Sequence, residues 1–251
     1  MRNLGLKLIP AIILLFTWEI LSLSDKSIMF LFSSPSAIVQ LLWQEIQTKQ
    51  MWYNIGLTSQ EAVLGLILGT FFGTLTGFII WINETVRKML QPYLLILGAL
   101  PIFALAPMLI IWLGIGLQSK VFMAAFGVFL LALAQSYEGA KFADKRYTAF
   151  TQSLGISRWK VMYKILLPGS LQWVLAGIKM NIGQSLLGAF IGEFVSSTAG
   201  LGFYILKASS LFNTTGVFVG LILLTLLSLV LNIILVLSKK YFCPWLFINK
   251  K

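Results

Sequence analysis

Long apolar stretches alternate with short polar connections along most of this chain. A helix that crosses the hydrocarbon core of a bilayer needs about 20 mostly apolar residues. Six stretches predict such helices, at residues 8–24, 58–82, 93–113, 120–136, 171–195 and 215–238. The third contains Pro101 and Pro107, which a buried membrane helix tolerates where its neighbours bond the freed carbonyl groups. The pattern therefore predicts an all-α membrane protein with six transmembrane helices.

The composition supports a lipid environment and excludes several kinds of site. Hydrophobic residues make up 58% of the 251 residues and charged residues only 11%, whereas soluble domains carry about 25% charged residues. The net charge of +11 comes from basic residues placed between apolar stretches, which does not indicate nucleic-acid binding. The chain has no histidine and one cysteine, Cys243, which excludes an internal disulfide and the usual zinc spacings. We expect no metal and no cofactor.

The distribution of lysine and arginine predicts the orientation in the membrane. With the N-terminus inside, fourteen of the nineteen basic residues lie on the cytoplasmic side and four on the outer side, while Lys179 falls within the fifth span. The positive-inside rule therefore places both termini in the cytoplasm. The first span resembles a signal peptide but has no clear small-residue cleavage site, so we interpret it as uncleaved.

This topology divides the chain into three parts. Residues 1–57 form the first transmembrane helix and an outer amphipathic helix, residues 58–238 form the core, and residues 239–251 form a basic cytoplasmic tail. In the outer helix Ser34 is the expected cap, and one apolar face contains Ile38, Leu41, Leu42 and Ile46. A second outer segment, residues 196–216, is too polar and glycine-rich to span a membrane.

Glycines recur at every fourth position of the second span, at Gly65, Gly69, Gly73 and Gly77. This spacing makes a smooth groove along one helix face, which lets another helix approach closely. We predict a packing role for these glycines rather than a ligand site, and a partner helix in this chain or in a second copy.

The longest polar connection, at about residues 137–170, has the pattern of two short helices joined by a glycine. A helix starts near Asp144, Gly155 suits its end, Ser157 caps a second helix, and Pro168 closes that helix. The second helix is amphipathic and basic. The residues leave two interpretations open, a hairpin that binds anionic headgroups and a surface that docks a protein.

The spacing in this connection resembles the EAA loop of permease subunits of bacterial ABC importers, written E-A-A-x3-G-x9-I-x-L-P. Gly155 is followed by nine residues and then by Ile-Leu-Leu-Pro, which ends at Pro168. Ala149 stands where the family has glutamate, so a salt bridge made by that glutamate is not expected here. Further segments, such as "ALPIFALAPMLIIWLGIG" and "IGEFVSSTAGLGFYI", are similar to the nitrate, sulfonate and taurine branch, which also includes carriers of thiamine precursors.

The resemblance implies a type I importer fold and a bacterial inner-membrane location. It also implies three partners: a cytosolic ATPase dimer, a second permease chain in a homodimer, and an extracytoplasmic substrate-binding protein. The sequence contains no G-x4-G-K-[ST] phosphate loop, so we expect no ATPase activity in the chain itself. The resemblance assigns ATPase coupling to Ala149, Gln152, Ser153, Leu154, Gly155, Ile156, Ser157 and Pro168.

Candidate residues for the substrate path lie in the fifth span at Asn181, Gln184 and Ser185, which are equally suited to hydrogen bonds between helices. Glu61 and Glu193 are expected at the outer interface, and Lys179 is expected to extend towards the cytoplasmic side. Two other functions compete with the permease: an ion-coupled secondary transporter that uses Glu61, Glu193 and Lys179, and a membrane scaffold anchored by the basic loop.

Overall fold

A computed structural model describes residues 2–99, 101–153, 160, 163–164 and 167–242, and this part of the chain is helical throughout, without a β-strand. In chain order its helices are α1 Arg2–Ser24, α2 Lys26–Phe32, α3 Pro35–Ile46, α4 Lys49–Ile82, α5 Glu84–Ala99, a 3-10 turn Ile102–Leu105, α6 Ala106–Leu113, α7 Leu117–Ser153, α8 Leu167–Ser196, α9 Leu201–Ser210 and α10 Thr214–Phe242. The predicted all-α class is confirmed for these residues.

Four of these helices are long and apolar enough to cross a membrane. Their apolar parts are Lys49–Ile82, Leu117–Phe142, Trp173–Ser196 and Thr214–Ser238. They correspond to the predicted spans at 58–82, 120–136, 171–195 and 215–238. Large apolar side chains cover the outside of the bundle, and Phe16 and Ile111 are 68% and 79% exposed. Such a surface suits lipid rather than water.

The predicted third span, residues 93–113, is not one continuous helix. The chain instead forms α5, the 3-10 turn and α6 in succession. Pro101 and Pro107 explain the interruption, because a proline removes a backbone donor and its ring clashes with the preceding turn. The segment predicted as the third span is therefore a broken helix, interrupted near the two prolines noted in the sequence.

Side chains cap the N-termini of α2 and α3. Asp25 separates α1 from α2, because its carboxylate accepts a hydrogen bond from Ser27 N at 2.7 Å. Ser34 caps α3, accepting a hydrogen bond from Ala37 N at 3.2 Å. The expected apolar face of α3 is confirmed, with Ile38 buried and Leu41, Leu42 and Ile46 packed against the same cluster.

Helices α4, α7 and α8 form the centre of the bundle. The contact residues on α4 and α7 increase together, from Gly65 beside Ala124 to Gly77 beside Ser136, so these two helices run parallel. Helix α8 runs antiparallel to both, since Gly188 lies beside Ala124 while Gly177 lies beside Gln135. Helices α9 and α10 pack on one side of α8 through an apolar cluster that includes Ile182, Leu186, Leu201, Val219 and Leu223.

Helix α7 extends well beyond its apolar part. The backbone continues as one helix from Leu117 to Ser153, through the polar residues that follow Phe142. The sequence pattern predicted a membrane helix and a separate polar helix here. No proline interrupts this stretch, and the only glycines, Gly127 and Gly139, are single ones, so the drop in hydrophobicity marks a change of surroundings rather than the end of the helix.

Candidate functional site

The predicted ATPase-coupling residues lie at and beyond the end of α7. Ala149, Gln152 and Ser153 belong to the last turns of its backbone, and Pro168 lies in the first turn of α8. Leu154, Gly155, Ile156 and Ser157 fall outside the described residues. The glycine elbow therefore stays a prediction, while the two helices that lead to it and away from it are described.

The four glycines of α4 face α7. A Cβ built on Gly65, Gly69, Gly73 or Gly77 would lie closer than 3.0 Å to atoms of α7, several of them backbone atoms. A backbone neighbour cannot rotate out of the way as a side chain can. Glycine at these positions therefore sets how closely α4 and α7 approach, and the partner helix belongs to the same chain.

The predicted substrate-path residues lie mostly between helices. Asn181 is buried, and its Oδ1 accepts a hydrogen bond from Gln135 Nε2 at 3.2 Å. Ser185 is buried, and its hydroxyl donates to the carbonyl of Ala62 on α4. Gln184 is half-buried beside Gly127 of α7. These contacts support the interhelical alternative for all three residues.

Buried charges meet near the end of the bundle that carries α9. Lys120 Nζ lies 3.7 Å from Glu61 Oε1 and donates a hydrogen bond to Ser197 Oγ at 2.9 Å. Glu61 and Glu193 are 2% and 0% exposed, so both carboxyl groups are enclosed within the bundle. Lys179, by contrast, is exposed. Burying a charge is costly unless it is paired and hydrogen-bonded, and these contacts give Lys120 both a carboxylate and a hydroxyl partner.

Glu193 joins this network to the start of α9. Its Oε1 accepts a hydrogen bond from Thr58 Oγ1 and its Oε2 accepts one from Gly202 N, each at 2.7 Å. The Thr58 hydroxyl also accepts a hydrogen bond from Leu201 N at 2.9 Å. A carboxylate at a helix N-terminus binds free backbone donors and is stabilised by the helix dipole.

Gly200 fits this arrangement for two reasons. Its φ of 106° is a conformation that residues with a side chain rarely adopt. A Cβ at this position would also collide with the Glu193 carboxylate. Asn54 also holds the backbone of Gly200 in place, because its Oδ1 accepts a hydrogen bond from Gly200 N at 3.1 Å. We call Asn54, Thr58, Glu61, Lys120 and Glu193 the charged network.

Sequence reasoning did not bring these five residues together; it grouped only Glu61 and Glu193, with Lys179, as ion-coupling groups of the competing transporter. The members of the charged network come from α4, α7 and α8 and are distant in the sequence. One indication was available in the predicted topology. Glu61 and Lys120 lie near the start of spans 58–82 and 120–136, and Glu193 lies near the end of span 171–195, so all three lie at the outer end of their spans. Charged residues within spans usually pair with one another.

A polar pocket of about 430 Å³ lies beside the charged network, between α3, α4 and α9. We call it the α9 pocket; its polar lining comes from Glu45, Gln50, Asn54, Tyr204, Lys207 and neighbouring residues. Tyr204 OH donates a hydrogen bond to Glu45 Oε1 at 3.1 Å. Burial, and secondly the Glu45 carboxylate, raise the pKa of Tyr204 above its ordinary value, so the phenol stays protonated and donates.

A second cavity, of about 580 Å³, lies between α4 and α7 and is almost entirely apolar. Phe122, Phe126 and Phe129 form a row along it, with ring centroids 5.9 and 6.5 Å apart. This groove offers almost no hydrogen-bonding groups to a polar solute.

The chain is similar to known permeases over most of its length. A probable ABC transporter permease protein of Haemophilus influenzae is 28% identical over 87% of this chain and 89% of the relative. The taurine transport system permease protein TauC of Escherichia coli is 26% identical over 94% of this chain and 87% of the relative. An inward-facing structure of the MetNI methionine ABC transporter matches with a TM-score of 0.61 and 14% identity, over 74% of this chain and 94% of that one.

The structural match at this low identity shows the fold alone. The sequence relatives and the family model give the membership, because the model described as "binding-protein-dependent transport system inner membrane component" matches residues 65–247. This chain therefore belongs to that family and is a multi-pass inner-membrane permease subunit of an ABC importer.

Proposed function

We propose that the chain crosses the membrane six times, with both termini in the cytoplasm, and forms a translocation path together with a second copy. Helices α4 and α7 are parallel and consecutive among the long helices, so residues 83–116 have to return across the bilayer between them. Helix α1 adds the first pass. The cytoplasmic position of most basic residues supports this topology. In this topology α9 lies at the outer face.

The family's permease components are not enzymes themselves, and family membership implies an ATPase and a substrate-binding protein as partners. Family membership also favours the importer permease over the two other functions that the sequence left open, the ion-coupled transporter and the lipid-anchored scaffold. We assign ATPase docking to the segment from Ala149 to Ser157, so that closure of an ATPase dimer reorients the two permease chains by alternating access.

One observation carries this coupling model: the unbroken α7. Its first turns hold Lys120 of the charged network, and its last turns hold Ala149, Gln152 and Ser153 at the coupling segment. A continuous helix transmits displacement along its axis better than two helices joined by a flexible link. Movement of the docked segment would therefore reach the end of the bundle that carries α9.

The direct test changes the elbow. Gly155→Leu should leave membrane insertion and assembly intact but abolish ATP-driven uptake in proteoliposomes. Gly56→Leu is the matched control, since a Cβ at Gly56 meets nothing within 4 Å and this helical position lies far from the segment. Normal uptake by Gly155→Leu, together with normal ATPase binding, would remove the coupling assignment.

Energy dependence tests the importer model independently. Uptake should stop when ATP is depleted and should continue when the proton gradient is collapsed with ATP present. The reverse pattern would contradict ATP-driven import. The resemblance to the taurine permease supports a small solute of the sulfonate, nitrate or taurine kind, and a thiamine-precursor solute is the second candidate from the sequence.

A further inference from the structure

We infer that the α9 pocket binds a small zwitterion, with the cationic group of the ligand at Glu45 and the anionic group at Lys207. The pocket has the volume of a small-molecule site, at about 430 Å³. Its lining combines one acid, one base and the neutral amides of Gln50, Asn54 and Asn213. The inference rests on the proposed function only in identifying this ligand with the imported solute.

The two charges in the pocket do not neutralise each other. Among the described residues, Lys207 Nζ has no carboxylate within 4.0 Å, although Glu45 lines the same pocket. Glu45 Oε1 accepts from Tyr204 OH, and its Oε2 accepts no hydrogen bond within the described part of the chain. Each charged group therefore retains bonding capacity for a ligand.

The acid and the base of the pocket lie at one face of α9. Tyr204 and Lys207 are three residues apart on this helix, so their Cβ atoms lie about 5–6 Å apart on the same face. Glu45 is hydrogen-bonded to the Tyr204 hydroxyl and lines the same pocket as Lys207. A ligand with both charges, such as an amine and a sulfonate or carboxylate joined by two carbons, can therefore be small and still contact both residues.

The walls of the pocket are held in place before any ligand arrives. Asn54 is 5% exposed, and its Oδ1 is fixed by the hydrogen bond from Gly200 N. The start of α9 is fixed by Glu193 through Gly202 N. A preorganised site loses less conformational entropy on binding than a flexible one. In the proposed topology this pocket faces the side from which the solute arrives.

The test is binding of radiolabelled taurine to the purified permease–ATPase complex in nanodiscs, without the binding protein. Taurine and β-alanine should compete with the label, whereas ethanesulfonate and ethylamine, which each lack one charge, should compete about tenfold more weakly. Glu45→Gln and Lys207→Gln should each weaken taurine binding about tenfold. Tyr204→Phe, which keeps both charges, should have a smaller effect, and Lys49→Gln, an exposed lysine outside the pocket, should have none.

Several results would overturn the inference. These are no saturable taurine binding by the wild-type complex, unchanged binding in both charge variants, or loss with Lys207→Gln alone, which would indicate a simple anion site. If the charge variants reduced the stimulation of ATP hydrolysis by the binding protein and left taurine binding intact, the pocket would be a contact site for that protein instead.

The Gly155→Leu complex separates this inference from the proposed function. It should bind taurine normally and fail to transport it. Normal binding by a wild-type complex that lacks ATP-driven uptake would contradict the proposed function and leave the pocket assignment standing. ATP-driven uptake by a complex with no taurine site would do the opposite.

Discussion

Glu193 on α8 accepts a hydrogen bond of 2.7 Å from the backbone N–H of Gly202 on α9. This bond ties a short helix at one end of the bundle to a carboxylate that is completely buried. The other oxygen of the same carboxylate accepts from Thr58 on α4. One side chain therefore fixes the positions of three helices, and the α9 pocket depends on that arrangement.

Replacing this carboxylate should destabilise the protein strongly. Glu193→Ala leaves the Gly202 N–H without its acceptor, removes one of the two acceptors of the Thr58 hydroxyl, and removes one of the carboxyl groups beside Lys120. Breaking a buried charged network costs about 3–5 kcal/mol. The loss of stability is measured by thermal unfolding in nanodiscs, with size-exclusion chromatography as the readout.

Glu138→Gln is the control for that experiment. Glu138 pairs with Lys141 at 3.4 Å, but both side chains are about half exposed. Exposed pairs of this kind contribute about 0–1 kcal/mol. Equal unfolding temperatures for Glu193→Ala and Glu138→Gln would show that the Glu193 contacts contribute nothing to stability.

Close helix packing makes a second prediction, on α8. A Cβ at Gly188 would lie 2.6 Å from the Cα of Ala124 on α7, whereas a Cβ at Gly183 would have nothing within 4 Å. Gly188→Val should therefore push α7 and α8 apart and reduce the yield of folded protein, and Gly183→Val should not. The pair introduces the same β-branched residue into the same helix, so helix propensity cancels. Similar yields and unfolding temperatures for both variants would contradict the described packing.

These examples indicate what the sequence could predict. The cap at Ser34 and the apolar face of α3 were predicted from residues close together in the chain, and so was the close packing at the glycines of α4. The continuity of α7 was missed because hydrophobicity reports the surroundings of a helix and not its end. The polar residues after Phe142 have no helix-breaking sequence among them up to Ser153.

The charged network was missed for a different reason. Glu61, Lys120 and Glu193 lie on three helices, and which of them meet depends on the relative rotation and depth of those helices. Hydropathy gives each span separately and carries no information on that rotation. The same limit applies to Ser185, whose hydrogen bond to the Ala62 carbonyl joins α8 to α4 and supports a packing role.

Tyr204 gives a prediction about pH. Burial and the Glu45 carboxylate raise its pKa in the folded protein, relative to about 10 in an unfolded chain. A raised pKa in the folded state adds stability that is fully present below about pH 10 and is lost as the pH rises through the folded value. The unfolding temperature of the wild type should therefore fall more steeply above pH 10 than that of Tyr204→Phe. The two proteins share every other ionisable group, so the difference isolates Tyr204; parallel curves would contradict the shift.

The last prediction concerns α7 as the mechanical link between the coupling segment and the charged network. Glu138 is exposed on this helix, between Lys120 and Ser153. Glu138→Pro removes a backbone hydrogen bond and kinks or breaks a helix interior, at a cost of about 3 kcal/mol. If α7 transmits movement, Glu138→Pro should still bind the ATPase, and ATP hydrolysis should continue, but solute uptake should fall to background. Glu138→Ala removes the same carboxylate and keeps the helix, so it should transport normally. Uptake by Glu138→Pro at the level of Glu138→Ala, in a complex of equal assembly, would mean that the coupling runs through another helix.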